Sequence, residues 1–154
     1  MATKSKASAI TAIALLDRRT GNGPVGTEHA AITLERLKAT NLRPYNEAIS
    51  EHYEQGGLLR RAAFFSEQAG LVYLRQYFYR EALRCFRRAL QLLMSSEVPA
   101  SEEREVNAHL ADLFLRVSEV LARDVDFEGS EEAANRALEY AGEADDERLQ
   151  AHAL

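Results

Sequence analysis

A chain of 154 residues suits one domain with room for a real core, and 46% apolar with 28% charged residues is ordinary for a soluble globular protein. One cysteine, Cys85, excludes an intrachain disulfide and a thiolate metal cage, and points to a reducing, cytoplasmic setting. The net charge of −5 is unevenly spread: residues 1–94 hold 14 Lys/Arg against 8 Asp/Glu, and residues 95–154 hold 5 against 16.

Helical periodicity recurs along the chain and sustained strand alternation is absent. The apolar segment behind Lys4 and Lys6 is too short to span a bilayer and lacks a convincing cleavage site. It reads as an amphipathic helix, with a targeting segment as the alternative. The glycines and Pro24 of Thr20 to Gly26 break the helix. Thr27 is placed to cap a second one carrying Ala30, Leu34 and Leu37. Residues 1–42 therefore read as a helix–loop–helix, and residues 43–154 as the main helical region.

Pro44 suits a first helical turn, and Tyr45, Ala48, Ile49, His52 and Tyr53 share a face behind it, up to the stop at Gly56 and Gly57. A helix from Leu58 to Arg75 turns Ala62, Phe65, Ala69, Val72 and Tyr73 inward. After a tight turn, Tyr79, Ala82, Leu83, Phe86, Leu90 and Leu93 form a nearly unbroken stripe. Ser101 is placed to cap the next helix, with Val106, Leu110, Leu113, Phe114, Val117 and Leu121 inward. Ser130 is placed to cap the one after, which aligns Ala134, Ala137, Leu138 and Ala141 and stops at Gly142. Asp145 or Asp146 opens a short closing helix. The expected fold is all-α, from antiparallel helix pairs.

Gly70, Tyr73, Tyr79, Ala82, Phe86 and Ala89 follow a spacing of small and aromatic residues that resembles a tetratricopeptide repeat. A weaker copy lies at Ala111, Phe114, Ala133 and Ala137, with "RDVDFEG" as a longer linking loop, and Pro44 to Arg75 reads as a further divergent pair. Ser66 stands where the family has a large aromatic, and Tyr77 where it has the turn glycine. The resemblance implies a short right-handed solenoid behind two N-terminal helices, whose concave groove is lined by Phe64, Glu67, Leu71, Leu74 and Arg75. A bundle without repeat ancestry is the alternative. Glu67 and Leu71 stand where chaperone-clamping members carry lysine and asparagine, so the implied groove is partly apolar and suits a partner helix or extended peptide. The plainer reading packs Phe64, Leu71 and Leu74 on a neighbouring helix.

Arg80, Arg84, Arg87 and Arg88 recur at helical spacing as a basic ridge. It suits phosphates, nucleic acid or an acidic protein surface, including the acidic half of a second copy; a solvated helix face is the plainer reading. A pI near 5.4 and the lack of a nucleic-acid motif disfavour nucleic acid. His109 and Asp112 lie one turn apart without a third ligand, "GNGPVG" lacks a P-loop's lysine, and no nucleophile neighbours a base. Cys85 reads as an inert thiol, with activation by its arginine neighbours as the alternative. The expectation is a non-catalytic interaction scaffold that binds a protein or peptide, self-associates or both, with no metal and no cofactor.

Overall fold

The computed structural model describes residues 45–153 and, ahead of them, Ile32. Within residues 45–153 six helices run in order: α1 Asn46–Gln55, α2 Leu59–Arg75, α3 Tyr79–Met94, α4 Glu103–Arg123, α5 Phe127–Ala144 and α6 Glu147–Ala153. Among the described residues there is no strand. Each helix packs on its chain neighbours, and α6 also reaches α4, which makes an all-α stack of adjacent helix pairs resembling a solenoid. Apart from Ile32, the helix–loop–helix assigned to residues 1–42, with the loop at Thr20 to Gly26, the Thr27 cap and His29, lies outside the described residues, as does Pro44. Ile32 is helical, half-buried and packed against the main core.

Small residues set the spacing between helices. Ser50 of α1 donates to the Ala62 carbonyl of α2 at 2.8 Å, and Ser66 of α2 donates to the Cys85 carbonyl of α3 at 2.9 Å. A hydroxyl bonded to the next helix's backbone is satisfied although buried, and it needs the two backbones close together. That is why Ser66 tolerates a position where a repeat would carry an aromatic. One turn further on, Gly70 makes room for the Phe86 ring: a Cβ on Gly70 would lie 2.6 Å from its Cε1. The α3 stripe is buried at Ala82, Phe86, Ala89, Leu90 and Leu93, and α4 answers with Val106, Leu110, Leu113, Val117, Val120 and Leu121. Gly70→Ala should therefore destabilise by about 1–3 kcal/mol through overpacking, despite a helix-propensity gain. Gly142→Ala, where a Cβ meets nothing within 4 Å, should instead gain about 0.5–1 kcal/mol. Equal denaturant midpoints for the two variants would show that the α2–α3 contact is looser than this.

Three of the connections are the same three-residue turn. In each, the third residue donates back five positions, Leu58 to Tyr53, Phe78 to Tyr73 and Asp126 to Leu121, closing the preceding helix. The middle residue is left-handed: Gly57 at φ 77°, Tyr77 at φ 63° and Val125 at φ 64°. Gly57 takes that conformation freely, whereas a side chain there costs about 1–2 kcal/mol, and a β-branched one is a genuine outlier.

The C-terminal boundaries differ from the sequence reading. "RDVDFEG" is no long loop, because Asp124 to Asp126 make the turn and α5 starts at Phe127. Its cap is Asp126, whose Oδ1 accepts from the Gly129 N–H at 3.0 Å, and Ser130 lies inside the helix, bonded to Ser118. Gly142 does not stop α5: the helix runs to Ala144, and Asp145 takes the left-handed position. Ser101 precedes a cap position held by Glu102 without a side-chain bond. On α5 the buried residues are Ala133, Ala137 and Ala141, while Ala134 and Leu138 are half-buried. Asp146 opens α6 by accepting from the N–H groups of Arg148 and Leu149.

Candidate functional site

The first helices of the two central pairs, α2 and α4, run side by side in parallel. Arg60 at the start of α2 pairs with Glu102 just before α4, and Glu67, seven residues on, pairs with His109, seven residues on from Glu102. Equal steps in the same direction are what parallel helices of equal rise require. Between their N-terminal halves lies an open groove of about 540 Å³. Phe65, Leu93 and Val106 are its buried floor, Phe64 is one wall, and Arg60, Arg61, Glu105 and His109 form the rim.

Each lining residue is held by something behind it. Phe65 stacks on Tyr53 at 5.7 Å between ring centroids and meets Phe64 edge-on at 5.2 Å. Phe64 keeps 49% of its surface exposed, a large share for a phenylalanine. Arg61 donates to the Tyr53 hydroxyl at 3.0 Å and lies over that ring, so its guanidinium is oriented along the rim. Beneath the groove Glu67 is only 7% exposed. One carboxylate oxygen lies 2.8 Å from His109 Nε2 and the other 3.6 Å from Arg116 Nε, which itself donates to Asp112 at 2.8 Å. The hydrogen bond to Glu67 raises the His109 pKa above its usual value, against the opposing effect of burial.

The five groove residues read from the sequence are divided by this geometry. Phe64 lines the groove. Glu67 is turned into the α2–α4 contact, Leu71 and Leu74 are half-buried against the main core, and Arg75 is exposed at the far end of α2. The open space therefore lies along the first half of α2, and Arg60, Arg61, Glu105, Val106 and His109 join it from positions that no local motif marks. His109 and Asp112, read as a pair from their spacing, instead meet Glu67 and Arg116 respectively.

The four arginines of the basic ridge have different surroundings. Arg84 donates to Glu47 at 2.8 Å and Arg88 to Glu54, so this face of α3 receives α1. The Glu47 charge raises the Arg84 pKa, and the hydrogen bond that Tyr73 donates to Glu47 pushes the Tyr73 pKa up to about 12. Arg80 and Arg87 are exposed and make no ion pair among the described residues. Cys85 is buried, and burial pushes its pKa up to about 11, so its arginine neighbours do not activate it. His52 is buried, with no hydrogen-bond partner for its Nδ1 among the described residues, and His152 is exposed. Among the described residues no three His, Cys, Asp or Glu side chains are grouped to hold a metal ion, and no helix is long and apolar enough to cross a membrane. No family model, curated protein or solved structure matches the chain.

Proposed function

We propose that the protein is a non-catalytic interaction scaffold of the tetratricopeptide-like kind, acting in the cytoplasm and seating a partner helix or peptide in the groove between α2 and α4. The observation that carries this reading is Phe64, a half-exposed ring set edge-on to Phe65 beside an apolar floor, with polar groups along the rim. Such a layout suits an amphipathic partner whose apolar side chains enter over Phe65, Leu93 and Val106 and whose polar edge meets Arg61. The alternative use of the α3 arginines has less support, because Arg84 and Arg88 are paired with α1.

The test starts with the full chain as bait in its host's extract, and the recovered partner is then titrated calorimetrically. Phe64→Ser should weaken binding by roughly 30-fold or more, as expected of an interface anchor, while leaving thermal stability nearly unchanged. Undiminished affinity in this variant would move the binding site elsewhere.

A further inference from the structure

We propose that the end of the molecule carrying the α2–α3 and α4–α5 turns is a self-association surface, on which the basic aromatic turn of one copy meets the acidic turn of a second. Because α2 and α4 are parallel and each is followed by the same three-residue turn, both turns leave the stack at the same end. Their middle residues, Tyr77 and Val125, are 74% and 71% exposed. Phe78 and Phe127 beside them are more than half exposed.

Inside the protomer Tyr77 meets Tyr79 and Phe78 meets Tyr73, each edge-on with 6.4 Å between ring centroids, and Tyr77, Phe78, Val125 and Phe127 still keep more than half of their surface exposed. Glycine is the residue this turn favours, and Gly57 occupies the equivalent place in the α1–α2 turn. At the other end the chain carries a tyrosine and a valine in a conformation both disfavour, and directs them into water. Both the backbone preference and the hydrophobic effect oppose that choice in an isolated copy. A contact outside the protomer reverses the second penalty.

Charge selects the occupant. Residues 75–81 carry two arginines against one glutamate, and residues 123–128 carry one arginine against three acids. Arg75, Arg80, Asp124 and Glu128 are all exposed. An anionic bilayer or an acidic protein would attract the first turn and repel the second at the same end. A second copy related by a two-fold axis satisfies both, since each turn then lies over its complement and the contact closes on itself.

The test is sedimentation of the full chain across protein concentration. The wild type should dimerise, and Arg75→Glu/Arg80→Glu and Asp124→Arg/Glu128→Arg should each weaken self-association by at least about tenfold, because each variant meets itself with like charges. Mixed together, the two variants should form a heterodimer, since one now carries two acidic turns and the other two basic ones. Tyr77→Gly should raise the melting temperature by relieving the backbone, yet weaken the dimer. Phe64→Ser, in the groove at the opposite end of α2, should leave the dimer intact. A wild type that stays monomeric up to about 1 mM, a mixture that does not pair, or a dimer lost on Phe64→Ser would each overturn the assignment.

Discussion

Replacing Phe86 with alanine should lower the unfolding free energy by about 3–5 kcal/mol, a large part of what a domain of this size possesses. The ring has no exposed surface, and its Cδ1, Cε1 and Cζ atoms occupy the space where Gly70 lacks a side chain. Removing it opens a cavity facing a glycine, which has no side chain to relax into the gap. The α2 and α3 backbones cannot simply move together either, because the Ser66 bond to Cys85 already fixes their separation. Urea unfolding followed by helical circular dichroism measures the effect. A loss below about 1 kcal/mol would mean that the α2–α3 contact collapses around the vacancy.

Glu67→Gln should produce the second large effect, a loss of roughly 2–3 kcal/mol, because it removes the buried charge that His109 and Arg116 face. The cost falls short of that for a fully buried pair, since both partners reach solvent and Arg116 keeps Asp112. The pH dependence carries the signature. With its folded pKa raised above the ordinary 6.5, His109 contributes stability that is fully present below 6.5 and is lost as pH rises through the folded value. The groups facing His109 are Glu67, Asp112 and Arg116, and Glu67 acts through the hydrogen bond as well as by charge. Wild-type stability should therefore decline with rising pH in this range, and Glu67→Gln should flatten the slope. A slope unchanged in the variant would place its origin in another group.

The parts of the fold that were legible in the sequence are those where one physical signal dominates. The α3 stripe from Ala82 to Leu93 is buried as its 3.6-residue period requires, and α1 turns Ile49, His52 and Tyr53 inward. The misread boundaries share one cause, a competing local signal. Val125 gives no hint of a turn, because a β-branched residue in a left-handed conformation is what propensity argues against. Once that turn is missed, Asp126 is not recognised as a cap and Phe127 to Gly129 are read as loop. Gly142 looks like a helix stop, but Asp145 takes the left-handed position three residues later. The groove was half legible for a different reason. Phe64 stands out as a large apolar residue off the buried face, whereas Arg61, Val106 and His109 reach it only through the parallel register of α2 and α4.

The alanine face of α5 gives the molecule an order of opening. Ala133, Ala137 and Ala141 bring α5 close to α4 but remove little apolar surface from water, and Leu149 is the one buried side chain of α6. With each helix resting chiefly on its chain neighbours, α5 and α6 should exchange their amide hydrogens before α2 and α3 open around Phe86, an order that residue-resolved hydrogen exchange would check. The expected pattern is a ladder of protection that rises from α6 toward the α2–α3 pair, and a partner seated between α2 and α4 would lean on two unequal rungs.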